Sequence, residues 1–357
     1  MAESNLPKSH LSIGAGRHPV QPRRVSLSVL PFVSVVMAVR DEAAYIEATL
    51  RAIFDQDYAG DLEVVVADGG STDGTLDILE EWASKERRLT VINNPEGVVG
   101  AGLNRAIEMS TGEVLVRCDG HAELPLDYVG RAVRTLRQTG VANVGGRQLP
   151  VGNSPAQKAI AAAMGYQMVV GNARFRRSKR AGPADTVYLG VFEREALDRV
   201  GGFDPGLVRN QDYELNYRLR KAGEVVWFDP GLSVNYRPRS GLRALWRQYL
   251  DYGRWKRKML AGNPGALAIR QLAAPALTLG LAGSIIGGLA GRAGWWILPA
   301  LYGALVVGIT LTELIKRPDP AALLLPAVIP IIHLGWGIGF LFLPVRRRRT
   351  LPEEGPG

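Results

Sequence analysis

The amino-acid sequence predicts an α/β domain with a mainly parallel sheet, followed by C-terminal transmembrane helices. Two observations carry that fold class. From residue 33 to residue 139, apolar β-branched runs alternate with segments of helical periodicity, the pattern of strands joined by crossover helices. From residue 272 to residue 345 the only charged residues are Arg292, Glu313, Lys316, Arg317 and Asp319. They separate three apolar stretches, 272–291, 295–315 and 321–343, each near the ~20 residues a helix needs to cross a bilayer.

Taken in order, residues 1–30 are polar and rich in Pro, Ser, Gly and Arg, without the apolar core of a signal peptide, and read as a disordered tail. Val33–Val39 is β-branched enough for a buried parallel strand. In 42–54, Ile46, Leu50, Ile53 and Phe54 share a helical face. A second strand, 62–67, ends in Asp68-Gly-Gly-Ser-Thr-Asp-Gly74. A helix over 75–84 turns Leu76, Leu79 and Trp82 inward. A third strand (89–92), a helix (100–109), a fourth strand (114–118) and a helix (126–139) follow. In such sheets ligands sit at the carboxyl ends of the strands. Three acidic features fall there: Asp41-Glu42, Asp68 and Asp119.

Composition narrows the classes. The chain has 357 residues, 46% of them hydrophobic, with a formal net charge of +9. That is ample material for a core, which excludes gross disorder. The single cysteine, Cys118, excludes a disulfide scaffold and a Cys-rich zinc module. The positive balance fits an anionic membrane or phosphorylated substrates as well as nucleic acid. Gly97-Val-Val-Gly-Ala-Gly102 has its glycines in the wrong order for a dinucleotide fingerprint, and there is no Walker A sequence. Asp119 and His121 have the spacing to share a divalent cation beside a diphosphate, although an Asp-Gly after a strand is commonly only a turn. Asp68 and Asp73, two carboxylates in a Gly/Ser/Thr turn, also read simply as caps of the next helix.

Together and in order, the motifs resemble family 2 glycosyltransferases of the GT-A fold. The residues are Val33-Ser-Val-Val-Met-Ala-Val-Arg-Asp-Glu42, Val64-Val-Val-Ala-Asp-Gly-Gly-Ser-Thr-Asp-Gly-Thr75, Gly100-Ala-Gly-Leu-Asn-Arg-Ala-Ile107 and Val114-Leu-Val-Arg-Cys-Asp-Gly-His121. Val200-Gly-Gly-Phe-Asp204 and Asn210-Gln-Asp-Tyr-Glu-Leu-Asn-Tyr-Arg-Leu-Arg220 follow. Within the family the sequence is most similar to the ExoA-like group of succinoglycan biosynthesis. The resemblance implies that Ala38, Arg40, Glu42, Asp68, Asn104 and Asp119 line the nucleotide-sugar site. It implies that Asp119 and His121 hold Mn²⁺ or Mg²⁺, and that Asp212 is the general base of an inverting transfer, with Glu214 second. His121 stands where the family has a second acid, which suits Mn²⁺ better than Mg²⁺.

The domain plan is then a tail (1–30), a cytoplasmic catalytic domain (31–236), a basic aromatic juxtamembrane region (237–268), a transmembrane region (269–345) and a basic then polar tail (346–357). Eight Lys and Arg residues between 237 and 258 face one acid, Asp251, and are interleaved with Trp246, Tyr249, Tyr252 and Trp255. Beside an apolar segment this reads as a helix on an anionic leaflet rather than a nucleic-acid surface. Gln248, Arg254 and Trp255 resemble the acceptor-side motif of membrane-bound family members. The apolar stretch 159–170 with the basic residues after it reads either as an interfacial helix or as a plain core helix.

The expected function is transfer of a sugar, UDP-linked in the donor, to a hydroxyl of a lipid-linked saccharide at the plasma membrane, alongside other polysaccharide-assembly proteins. Its rivals are a polyprenyl-phosphate sugar synthase and a non-catalytic membrane scaffold. Topology is left in conflict: a third crossing puts Arg346 to Arg349 outside, against the positive-inside rule, unless the first stretch fails to cross.

Overall fold

The computed structural model describes residues 29–171, 173, 175 and 178–344. Of the expected tails, 1–30 lies outside the described residues up to residue 28, and 346–357 lies wholly outside them. Strands β1 (Val33–Val39), β2 (Leu62–Asp68), β3 (Leu89–Asn93), β4 (Val114–Cys118), β5 (Asn143–Pro150), β6 (Gly182–Pro183), β7 (Tyr188–Glu193) and β8 (Val226–Tyr236) form one sheet in the order β3-β2-β1-β4-β7-β5-β8-β6. The four strands read from sequence pair in parallel. β7 runs against both β4 and β5, and β6 runs against β8. Six strands therefore end at one edge, where β7 begins.

Helices α1 (Ile46–Phe54), α2 (Thr75–Lys85) and α4 (Tyr128–Thr139) cover one face. Alternation does this directly: Val33, Val35, Met37 and Val39 meet Ile46, Leu50, Leu79 and Val133 in one cluster. α3 (Val99–Met109), α7 (Arg194–Val200) and α8 (Gln211–Lys221) cover the other, where Val36, Val65 and Leu115 meet Leu103, Leu197 and Leu215. The result is a three-layer α/β/α domain, the arrangement a sheet buried on both faces requires.

The long helix α9 (Leu242–Gly262) leaves β8 and joins this domain to three apolar helices, α10 (Ala273–Leu289), α11 (Ile297–Lys316) and α12 (Leu325–Phe342). With their flanking turns, each is long and apolar enough to cross a membrane. The stretch 159–170 folds as α5 (Pro155–Met164) and the short α6 (Gln167–Val170). Both lie in a cluster with α9, α11 and α12 rather than against the sheet, so its apolar face packs on the C-terminal helices.

Candidate active site

The site grows from the carboxyl edge of β1, β2 and β4. After β1 the chain turns sharply, and Asp41 takes φ +54°, a left-handed conformation unusual for a side-chain-bearing residue. The loop after β2 is laced to it. Thr72 N donates to Asp41 Oδ1 (2.9 Å), Asp41 N donates to Ser71 Oγ (3.0 Å), and Glu42 N donates to Thr75 Oγ1 (2.8 Å). Asp68, buried, accepts from Gly70 N and Ser71 N (both 3.0 Å) and from Ser71 Oγ (2.5 Å). Its carboxylate is spent on the loop itself and does not reach the helix that follows, so the capping reading made from sequence fails at Asp68. Asp73 is the residue at the helix start, where its Oδ1 accepts from Thr75 N (3.1 Å). Ala38 stands at the end of β1 against Gly102, and the half-exposed Arg40 leans over Gly97.

β4 contributes the charged centre. Asp119 and His121 project from its end, and Glu42 reaches across to His121, with Oε1 2.8 Å from Nδ1. The Glu42 hydrogen bond raises the His121 pKa, with burial opposing and Asp119 adding to it. Burial works to raise the Asp119 pKa, but Arg117, His121 and Arg209 outweigh it and hold the carboxyl below its usual range. The Arg117 guanidinium lies between two acids: Nη2 donates to Asp119 Oδ1 (2.7 Å) and Nη1 to Asp212 Oδ1. Asp212 is the second residue of α8, reached through Asn210 at φ +67°. Two residues 93 positions apart (212 − 119) thus share one cation.

A divalent cation fits this donor set. With Nδ1 held by Glu42, His121 keeps Nε2 for a ligand, and a carboxylate behind a histidine is the usual orienting partner of a metal-binding imidazole. Asp119 adds a carboxylate beside it. Among the described residues, no three His, Cys, Asp or Glu side chains converge on one point. The remaining ligands would have to be phosphate oxygens and water, as for a cation that arrives with a nucleotide diphosphate.

The remaining expected residues divide. Asn104 departs from the expectation: its Nδ2 donates to Phe203 O (2.8 Å) and its Oδ1 accepts from Phe203 N (2.7 Å). Both ends of the amide are spent joining α3 to the loop before α8, not facing a nucleotide. Glu214 is buried and bound through both oxygens by Arg218 (2.7 and 2.8 Å), which leaves Asp212 as the carboxylate open to an acceptor. Gln248 Nε2 donates to Tyr236 Oη (3.2 Å) and Tyr252 Oη (2.9 Å). These three, with Gln148, Ile160, Met164, Leu245 and Tyr249, line a small cleft between the sheet edge and α5. Arg254 pairs with Asp251 (2.8 Å) and has a buried Nε without a partner. Trp255 is 6% exposed and packs with Leu207, Met259 and Ala266, not beside the cleft.

Sequence reasoning did not single out Arg117 or Arg209. Arg117 sits in a strand whose other side chains are apolar, and that buried cation two residues before Asp119 was the available signal. Arg209, with a buried Nε lacking a partner, gave none.

Residues 34–201 match the family model described as "Glycosyl transferase family 2". The "Succinoglycan biosynthesis protein ExoA" of Rhizobium meliloti (strain 1021) is 32% identical over 320 residues, 88% of this chain and 96% of that protein. A dolichyl N-acetyl-α-D-glucosaminyl phosphate 3-β-D-2,3-diacetamido-2,3-dideoxy-β-D-glucuronosyltransferase of Methanococcus voltae is 25% identical, over 87% of this chain and 96% of that protein. Among solved structures, the mannosyltransferase PcManGT of Pyrobaculum calidifontis, in complex with GDP-Man and Mn²⁺, superposes with a TM-score of 0.58 at 22% identity, over 88% of each chain. It shares the GT-A fold.

Proposed function

The chain belongs to glycosyl transferase family 2, and we propose that it is a membrane-anchored inverting glycosyltransferase acting on a lipid-linked acceptor. In this reading the sugar moves from a nucleotide sugar, UDP-linked, to a hydroxyl of a lipid-linked saccharide in polysaccharide assembly. The catalytic domain faces the cytoplasm. One observation carries the reading: a single buried arginine joins Asp119, at the donor end of β4, to Asp212.

An inverting transfer needs one carboxylate to take the acceptor proton as the hydroxyl attacks from the face opposite the leaving group. Asp212 has one oxygen on Arg117 and sits partly exposed, so it offers its other oxygen to the acceptor. Asp119 and His121 would hold Mn²⁺ or Mg²⁺, which when bound neutralises charge on the departing diphosphate. Arg209, close enough to lower the Asp119 pKa, adds positive charge on the same side. The loops laced by Asp41, Asp68 and Asp73 form the wall against which Ala38 and Arg40 meet the nucleoside, while Glu42, expected there too, is turned to His121. On the acceptor side, the tyrosines and amides around Gln248 offer aromatic faces and hydrogen bonds without a net charge, chemistry suited to a neutral sugar.

The glycosyltransferase relatives set aside a non-catalytic scaffold. A polyprenyl-phosphate acceptor is the alternative to a hydroxyl. Phosphate needs no base, so Asp212→Asn would then leave transfer intact, whereas hydroxyl transfer should fall by roughly 10²-fold or more. The first test is binding of nucleoside diphosphates to the detergent-solubilised protein, with and without Mn²⁺. Metal-dependent binding selective for one diphosphate and lost in Asp119→Ala supports the site. A folded protein that binds none of them refutes it.

A further inference from the structure

We infer that α12 does not cross the membrane: it lies along the catalytic-domain side, so α10 and α11 cross as a hairpin and α9, α5, α6 and α12 form a platform on one lipid leaflet. The observations concern both ends of α12. At its start, Asp319 Oδ2 accepts from Lys158 Nζ on α5 (3.0 Å), and Ala322 and Leu325 pack with Ala159, Ile160 and Ala163 of the same helix. In its middle, His333 Nε2 lies 3.1 Å from Met168 O and 3.2 Å from Val169 O, in α6.

At its far end, Leu341 O and Leu343 O accept from Arg257 on α9. The next residue, Lys258, donates to Gly206 O in the loop that leads to α8. The carboxyl end of α12 is therefore one residue from a contact with the catalytic domain, and its amino end is joined to α5, which follows directly from β5. A helix with both ends on the same domain has not passed to the other side of a bilayer.

α9 excludes the alternative that the two helices are inserted together. Glycines set them side by side: a Cβ on Gly339 would meet the Leu250 backbone, and one on Gly253 would meet Trp336 O and the backbone of Phe340. Over that length α9 carries Arg243, Arg247, Asp251, Arg254, Lys256, Arg257 and Lys258, a charge load no spanning helix tolerates. Burial agrees. Half of the α12 stretch is covered by protein, against 17% for each of the other two, as expected for a helix with one face on a platform and one on lipid. The resolution differs from both options left by the sequence. Two crossings return the chain to its starting side at Pro318, and it leaves α12 at Leu343 on that same side. Arg346 to Arg349, outside the described residues, then follow where the positive-inside rule places them.

The inference rests on membrane anchoring but not on catalysis, so its test is cysteine accessibility in sealed cells and inverted vesicles with a membrane-impermeant maleimide. The native Cys118 is buried. Four exposed sites are replaced singly in the full chain: Ser84→Cys as the catalytic-side marker, Arg292→Cys between α10 and α11, Pro318→Cys and Pro344→Cys. The expected result is that Ser84, Pro318 and Pro344 label from one side and Arg292 from the other, each at least tenfold over the opposite side. Labelling of Pro344 with Arg292 overturns the inference and restores three crossings. Labelling of all four from one side overturns the anchoring itself. Nucleoside diphosphate binding by each variant confirms that it folds.

Discussion

Arg117 decides more at the residue scale than any group named from the sequence. Its guanidinium holds Asp119 and Asp212 on one planar fork, and its Nε is buried without a partner. Lysine keeps the charge but has no fork. Arg117→Met should therefore lower kcat by about 10²-fold, the scale of a misplaced general base, and Arg117→Lys should recover only part. Steady-state kinetics in detergent would read both; wild-type turnover in Arg117→Met removes Arg117 from the site.

Lys256 poses a second residue-scale question. Its ammonium lies 3.2 Å from the Tyr213 ring centre, beside the residue that follows Asp212, and burial with Arg270 nearby lowers its pKa to about 7. The unfolded chain holds that proton up to a pKa of about 10.4. Between the two values the unfolded state binds more protons, so this lysine makes stability rise with pH across that window. Lys256→Met should thus be most stabilising at pH 7 or below, by an upper bound of a few kcal/mol, and lose its advantage toward pH 10. Melting curves of both proteins at three pH values decide it, because an advantage that does not change with pH would rule out the buried charge. The lone cation in β4 marked Arg117 as unusual, but neither its pairing nor the burial of Lys256 was legible in the sequence. The partners of Arg117 include a residue 95 positions away, and no local pattern records that Lys256 is 3% exposed.

At the scale of elements, local pattern was a good guide where one helix covers one strand. The four parallel strands and the helices between them fall within a few residues of their expected places because each buries an apolar stripe. The first helix begins four residues late, at Ile46 rather than 42. Residues 41–45 are recruited by the neighbouring loop, with Ala43 N donating to Asp73 Oδ2 (3.0 Å), and periodicity does not record such a bond. The second half of the sheet was not legible, since β7 enters between β4 and β5 in reverse. The pairing of α9 with α12 was also hidden, although its glycines are plain in the sequence. Gly339→Leu would drive a side chain into the Leu250 carbonyl, and overpacking of that kind typically costs about 1–3 kcal/mol. It should expose the α9–α12 seam to limited proteolysis while nucleoside diphosphate binding persists. Protection equal to wild type would show that the two helices do not depend on that contact.

On the proposed membrane-anchored reading, the whole molecule meets the membrane through two kinds of surface, and they respond differently to salt. α10 and α11 present apolar side chains that protein hardly covers, among them Ile286, Leu289, Ile297, Leu301 and Ile315. Burial of that area in hydrocarbon does not weaken with ionic strength. Arg243 and Arg247, exposed one turn apart on α9, act through charge, and charge at a surface is screened within about 8 Å at physiological salt. The full chain should therefore stay with membranes through a salt wash of about 0.5 M, where screening shortens to roughly 4 Å, and need detergent for release. Arg243→Glu with Arg247→Glu should not free it either. Each arginine near an anionic leaflet contributes about 1 kcal/mol, so the double change should tilt the platform from the surface rather than detach the hairpin. Transfer to a membrane-embedded acceptor should then fall at least several-fold, while nucleoside diphosphate binding, made by the loops after β1, β2 and β4 and not by these two arginines, stays unchanged. Release of the double variant by salt would show that charge, not the hairpin, holds the protein. Equal loss of nucleotide binding and transfer would show that α9 serves the catalytic domain rather than its approach to the acceptor.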